Sequence, residues 1–369
     1  MINGKGMFIW KLYRCEGGNP QAIAHIAAQA GLSHVIIKIA DRTGIFNYDW
    51  KHHRDLVPPV VRALKAKGIE VWGWHYIYGE DPVGEARIAA RRTRQLGLTG
   101  YVIDAEIEFS AAGMAKKART YMNALRNNMP SNVLIGLSSF RFPSYHPSFP
   151  WREFLDQCDF NMPQVYWLNA HNPGAQLTRS AREFRAMYPY QPLLAVGATV
   201  KYSSWAPTPG EIKEFMQTAI HLGIPAVNFW EWYQARNKLD PSIWKTIADF
   251  EWPDNIPGPP KDITVKYIAA LNTHNPDTVT ALYTDRAVHV NTMRTITGRA
   301  AIRSWYASLF NNILPHATFR LTGRSGTGNS RHFTWEATSS AGVVRNGNDV
   351  FGLLDGRIAY HYTFFTVEK

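Results

Sequence analysis

Over the first 250 residues, short apolar runs alternate with amphipathic stretches, and this alternation limits the possible folds more than any other feature. Eight runs stand out: Met7–Leu12, His34–Ala40, Glu70–Tyr78, Gly100–Glu106, Val133–Ser138, Asp159–Trp167, Pro192–Ala198 and Ala226–Trp232. Several are apolar almost throughout, as parallel strands buried on both faces must be. The stretches between them carry helix punctuation. Asn19-Pro20 and Pro58-Pro59 open helices, Gly68 closes one, and Thr208-Pro209-x-Glu211 sets a proline behind an N-cap. Eight strand–helix repeats of this size predict an α/β fold, a closed (β/α)₈ TIM barrel. An open doubly wound sheet is the rival, but it usually places a glycine-rich phosphate loop after its first strand, and none follows Leu12.

Residues 251–261 hold four prolines and a glycine, which rule out a continuing helix or a central strand. They read as a semi-rigid linker between a barrel of residues 1–250 and a second domain of residues 262–369. In that domain helices come first: Asp262 caps one, and others span 276–283 and 299–311. A strand at 287–291 precedes long alternating segments at 317–322, 332–338, 343–353 and 357–366. Asp355-Gly356 between two apolar strands predicts a tight hairpin. Helices followed by a curved antiparallel sheet make a small, cone-shaped α+β domain.

With 45% hydrophobic and 19% charged residues the composition is that of a folded chain. No apolar stretch reaches the length of a membrane span, and Met7–Trp10 is too short for a signal-peptide core. That leaves the compartment open between a cytoplasmic and a processed, exported protein. The net charge of +11 is divided nearly evenly between the two domains, and its densest cluster, Arg91, Arg92 and Arg94, falls on a helix face. Nucleic acid is therefore not an expected partner. Cys15 and Cys158 stand alone, which argues against a disulfide framework or a zinc site. No cofactor and no metal are expected.

The fourth run carries the chemistry. In Tyr101-Val102-Ile103-Asp104-Ala105-Glu106-Ile107-Glu108 the three carboxyls share one parity and would point together from a strand. Crowded carboxyls resist joint ionisation, which raises at least one pKa and suits a general acid. A structural alternative pairs Asp104 with a buried base such as Lys38 and leaves Glu108 in solvent. Lys11, Lys38 and His75 complete a polar ring. Lys38 neutralises the carboxylates in this reading; a Schiff-base role or a metal on His75 has less support, because close acids oppose the first and no spaced ligand supports the second. Aromatic residues near strand ends (Trp72, Trp74, Tyr76, Tyr78, Tyr166, Trp167, Trp230, Trp232 and Tyr233) offer flat faces to pyranose rings.

These islands resemble two glycoside hydrolase families. Ile36-Ile37-Lys38-Ile39-Ala40-Asp41, Trp72-Gly73-Trp74-His75-Tyr76 and Ile103-Asp104-Ala105-Glu106 resemble strands of the family-25 cell-wall lysozymes. That resemblance implies Glu106 as the acid and Asp104 as its partner. It departs at the first strand, where Phe8-Ile9-Trp10-Lys11 lacks the lysozymes' aspartate. Asp104, Glu106 and Glu108 also resemble the acidic row of the family-18 chitinases, which implies Glu108 as the acid. In the same likeness Gln164-Val165-Tyr166-Trp167 supplies a tyrosine to an acetamido group and Phe229-Trp230 floors the pocket. Catalytic candidates are thus Asp104, Glu106, Glu108 and Tyr166. Substrate-binding candidates are Lys11, Lys38, Trp74, His75, Tyr76, Gln164, Trp167, Trp230 and Glu231.

Residues 262–369 resemble SnoaL-like and nuclear-transport-factor-2-like domains, through Tyr267–Asn272, His274–Asp277, Ala281–Asp285, Gly298–Arg303, Asp349–Phe351 and Asp355–Ile358. The resemblance implies a pocket lined by Trp335, Asp349 and His361, with His289, Glu336 and Tyr362 nearby, and a homodimer formed through the sheet. The expectation for the whole is a glycoside hydrolase acting on N-acetylamino-sugar polymers of the peptidoglycan or chitin type. The alternative is a non-catalytic glycan-binding barrel with a ligand-binding or dimerising partner domain.

Overall fold

In the computed structural model the apolar runs become eight parallel strands: β1 (Gly4–Ile9), β2 (Leu32–Asp41), β3 (Glu70–Tyr76), β4 (Gly100–Asp104), β5 (Leu134–Phe140), β6 (Phe160–Val165), β7 (Val196–Ala198) and β8 (Ala226–Trp230). The structure describes residues 2–187, 189–258, 262–326 and 328–369. Each strand pairs with its sequence neighbours, and β1 pairs with both β2 and β8, so the sheet closes on itself. Helices flank it: α1 (Pro20–Gln29), α2 (Val57–Lys65), α3 (Pro82–Leu96), α4 (Met114–Asn128), α5 (Trp151–Leu155), α6 (Pro173–Ala186), α7 (Pro209–His221), α8 (Trp232–Asn237) and α9 (Pro241–Asp249). Local chemistry sets their starts. Asn19 Oδ1 accepts from the Gln21 and Ala22 amides, and Thr208 with Glu211 forms a reciprocal capping box.

Strand alternation decides which side chains fill the barrel. Phe8, Ile36, Trp72, Trp74, Val102, Phe160, Met162 and Val196 form one inner cluster. At its lower end Trp72 and Phe160 lie 5.0 Å apart, and glycines make room for them. A Cβ on Gly136 would sit 1.9 Å from the Phe160 ring, and one on Gly100 2.3 Å from Trp72. His34 and Asn228 are bonded at 2.6 Å within the same interior, where burial pulls the His34 pKa down to about 4.

The proline-rich stretch does not begin as a free spacer. Trp252 Nε1 donates to Asn3 Oδ1 and to the Pro225 carbonyl, and Asn3 Nδ2 donates to the carbonyls of Pro253 and Asp254. Ile256 is buried. Residues 251–258 therefore clasp the starts of β1 and β8. Residues 259–261 of the expected linker lie outside the described residues.

The chain divides into two compact units, Met1–Arg185 with Tyr190–Pro259, and Ala186–Pro189 with Pro260–Lys369. In the second, α10 (Ile263–Leu271), capped by Asp262, and α11 (Pro276–Thr280) precede β9 (Tyr283–Val290) and β10 (Thr295–Thr297). Then come α12 (Arg299–Ser308), β11 (Thr318–Ser325), β12 (Ser330–Ser339), β13 (Gly342–Leu354) and β14 (Arg357–Phe364). The helix expected over 276–283 ends at Thr280 because Tyr283 is already drawn into β9 and buried against α12. The sheet runs β10-β9-β14-β13-β12-β11, with only the β9–β14 pair parallel among the described strands of this unit. Asp355 and Gly356, at φ 49° and 74°, make the hairpin turn that two consecutive positive φ values require.

Candidate functional site

β4 ends at Asp104, one residue pair short of the expected strand. The chain turns at Glu106 into a short 3-10 helix, Ile107–Ser110, so Glu108 comes from a helical turn and not from the strand. The three carboxyls converge nonetheless. Gln164, on β6, donates its Nε2 to Asp104 Oδ1 and to Glu106 Oε1, each at 3.0 Å, and reaches Ser138 Oγ of β5 at 3.4 Å. Tyr76, on β3, donates its hydroxyl to Glu108 Oε2 at 2.9 Å. Four neighbouring strands and the loop after β4 thus present one polar cluster at the C-terminal rim of the barrel.

Burial sets its electrostatics. Asp104 is 7% exposed, and desolvation raises its pKa well above the usual carboxylate range. Glu106 adds to that rise, while Lys38 and the Gln164 hydrogen bond oppose it. Glu106 is half-buried, and desolvation lifts its pKa too, against the Gln164 hydrogen bond and with help from Glu108. Burial and mutual repulsion thus make both carboxyls harder to ionise, and the Gln164 amide, donating to each, works against that rise. The Tyr166 hydroxyl is held protonated by burial and by the charges of Asp104 and Glu106.

Beneath and beside this cluster lie packed aromatics, of which the expected binding residue Trp74 is only 2% exposed and belongs to the barrel core. Trp74 lies 5.2 Å from Trp230, Phe8 5.6 Å from Trp230, and Trp10 6.4 Å from Trp230. On β1, Phe8 packs against Trp74 and Trp230. Lys38 is buried with its ammonium 4.8 Å from the Trp74 ring; it forms its ion pair with Asp41 and acts on Asp104 only through its field. Lys11 rests its ammonium 4.4 Å above Trp10. Among the described residues no group of three or more His, Cys, Asp and Glu side chains is arranged to hold a metal ion.

Three expected binding residues are elsewhere. His75 alternates with Trp74 and Tyr76 and so faces away from the barrel interior, bonded to the Arg42 carbonyl and the Tyr101 hydroxyl. Trp167 lies past the end of β6 and is fully buried against α7, 5.3 Å from Phe215, with its Nε1 on Glu211. Glu231 caps α8 through the Gln234 amide and is 4% exposed. Sequence reasoning passed over Ser138, Trp10 and Arg141. Ser138 and Trp10 were legible in principle, as the inward and end positions of their strands. Arg141 gave no signal, because the loop fold that hangs its guanidinium on the Tyr166 carbonyl is not periodic.

In the C-terminal domain Trp335, Asp349 and His361 come together, buried and hydrogen-bonded to one another. Asp349 accepts from Trp335 Nε1 at 2.9 Å, from Thr363 Oγ1 at 2.6 Å and bonds His361 Nε2 at 2.9 Å. His361 Nδ1 bonds the Tyr283 hydroxyl at 2.6 Å, which continues to Tyr306 and Tyr267. All seven are buried and joined in one network, whereas neither ring nitrogen of the buried His289 has a hydrogen-bond partner among the described residues. His289, 4.6 Å from His361, stands beside it with its pKa drawn down to about 2 by burial. Glu336 pairs with Arg320 and Tyr362 is exposed, both outside that interior.

No curated protein matches the chain. Residues 264–361 match the SnoaL-like domain family. Among solved structures, the chain is similar to a putative isomerase of the SnoaL-like family from Agrobacterium tumefaciens, at 25% identity and a TM-score of 0.25, covering 28% of this chain and 94% of that one. A putative ketosteroid isomerase from Kribbella flavida matches at 18% identity and a TM-score of 0.26, covering 29% and 77%. An NTF2-like protein of unknown function from Cytophaga hutchinsonii matches at 13% identity and a TM-score of 0.25, covering 28% and 87%. The protein is a mixed α/β chain in which a closed, helix-flanked barrel of eight parallel strands is followed by a SnoaL-like domain.

Proposed function

We propose that the barrel is a (β/α)₈ TIM barrel of the glycoside hydrolase type, acting on N-acetylamino-sugar polymers. The observation that supports this is the single Gln164 amide joining Asp104 and Glu106, two carboxyls of raised pKa at the C-terminal rim. Glu106, half-buried beside the opening, is the general acid that gives its proton to the glycosidic oxygen. Asp104, deeper in the mouth, in its carboxylate form steadies the positive charge that develops at the anomeric carbon. As the leaving sugar departs, the Glu106 carboxylate draws a proton from the incoming water. Since both accepting oxygens are 3.0 Å from one nitrogen, they lie within twice that distance of each other. We read the two as a retaining pair, whose carboxyls stand roughly 5–5.5 Å apart. Tyr166 and Trp230 supply the hydroxyl and the flat face for the sugar.

A second reading has its own support in β1: Phe8-Ile9-Trp10-Lys11 carries no acid, as suits a barrel that holds glycan without cutting it. For the C-terminal domain we propose pairing with a second copy. The outer side of β14 exposes Tyr360, Tyr362 and Phe364 in an alternating row. Incubation with peptidoglycan, chitin oligomers and aryl glycosides separates the readings of the barrel. Wild type releasing reducing ends, with Glu106→Gln silent, supports the hydrolase. Sedimentation with glycan but no product from wild type gives the binding barrel the place.

A further inference from the structure

Among the described residues of the barrel unit, the large apolar side chains left exposed are Trp10, Tyr13, Trp50, Ile107, Tyr145 and Tyr202. Every one lies on a segment that follows a strand: Trp10 and Tyr13 after β1, Trp50 after β2, Ile107 after β4, Tyr145 after β5 and Tyr202 after β7. In a parallel barrel these segments share the rim that carries Glu106. Exposed apolar side chains scattered without purpose would also appear on the helices and at the opposite rim.

The aromatics at two places on this rim carry cations. On the β1 side, Lys11 sits 4.4 Å from the Trp10 ring and Arg14 5.6 Å from Tyr13. On the β5 side, Arg179 lies 4.4 Å from Tyr145 and 4.1 Å from Phe142, whose ring Arg141 also approaches at 5.1 Å. In a ring of eight strands taken in sequence order, β1 and β5 are diametrically opposed, with the carboxyl cluster between them. Arg179 is paired with Glu183, but among the described residues neither Lys11 nor Arg141 has a carboxylate within ion-pair distance.

We propose that the rim binds a linear polysaccharide bearing carboxylate groups, laid across the mouth from the Trp10–Lys11 side to the Tyr145–Arg141 side. This rests on the reading of the mouth as a glycan site and names its substrate class. The rings take the C–H faces of successive sugars, and the ammonium and guanidinium beside them take the acidic substituents. Of the acids in the centre, Asp41 is paired with Lys38, and Asp104 and Glu106 bond the Gln164 amide.

Calorimetric titration of a chitin hexamer and of an O-carboxymethylated chitin hexamer tests this. At low ionic strength the carboxymethylated chain should bind about tenfold more tightly, and the preference should shrink toward unity near 1 M salt, where screening acts over about 3 Å. Arg141→Gln and Lys11→Gln should each cut the ratio of the two affinities about threefold, a readout that general loosening of the fold leaves alone. Trp10→Ala should weaken both hexamers and keep their ratio. Equal affinity of the two hexamers, a ratio unmoved in both cation variants, or no binding of either hexamer would overturn the proposal. Product release is scored separately on aryl glycosides: a preserved preference without bond cleavage removes the hydrolase reading alone.

Discussion

Asp104 and Glu106 share a donor but not an environment, and their substitutions should read out differently. Glu106→Gln keeps the acceptor for Gln164 and removes the proton, so kcat on an aryl glycoside should fall about a thousandfold with little change in melting temperature. Glu108→Gln, answering to Tyr76 instead, should leave most of the rate, as steady-state kinetics on the two variants would show. In the wild type kcat should decline as pH rises through the elevated Glu106 pKa, because the acid form is then lost. Asp104 affects stability as well. A carboxyl whose folded pKa lies above its unfolded value contributes stability that is complete below the unfolded pKa and lost as pH rises through the folded one. Asp104→Asn, neutral throughout, should therefore raise the melting temperature at pH 7–8 more than at pH 4, as scanning calorimetry at the two pH values would show. The acidic row itself was legible in the sequence, since three carboxyls in five residues of an apolar run have few innocent explanations. Its geometry was not: strand parity alone put all three on β4, whereas the chain leaves the strand after Asp104 and a turn brings Glu108 back toward Tyr76.

At the scale of single elements, alternation explains both what the sequence revealed and what it hid. Reading β3 as an inward-facing strand end put His75 with its neighbours, yet a two-residue period must turn it outward between Trp74 and Tyr76. Trp167 and Glu231 were mistaken for rim residues because strand ends cannot be located within one or two positions from composition. One falls under α7, and the other starts α8. Inside the barrel, Gly136→Ala should destabilise by about 1–3 kcal/mol in urea unfolding, because its Cβ would have to displace the Phe160 ring. Lys5 makes a different kind of join. Its buried ammonium donates to the carbonyls of Ile247, Ala248 and Phe250 and ties β1 to the end of α9. Burial lowers its pKa to about 8. Between that value and the ordinary lysine range, the unfolded chain binds more protons than the folded one, so this site adds stability as pH rises. Urea midpoints taken from pH 8 to 10 should climb in the wild type relative to Lys5→Met; parallel curves would remove Lys5 from the explanation.

For the whole molecule, the repeat of eight runs and the change to helix-then-sheet after residue 262 were enough to read two architectures from sequence. What composition could not convey is how the interior of the second would be spent, since Trp335, Asp349 and His361 have the chemistry of a pocket lining and the hydrogen bonds of a core. If the Tyr360–Phe364 row pairs two copies, light scattering should give twice the chain mass, and Tyr362→Glu should give the chain mass alone. The clasp at the base of the barrel bears on how the protein is made. β1 emerges first from the ribosome, but its lateral partner β8 and its fastener Trp252 come out more than 200 residues later. The nascent chain must therefore carry an unclosed sheet, with β1 and the latest strand as open edges, through nearly the whole synthesis of the first unit. A stop placed at the end of α9 would release all eight strands and still leave the seam without its last stitch.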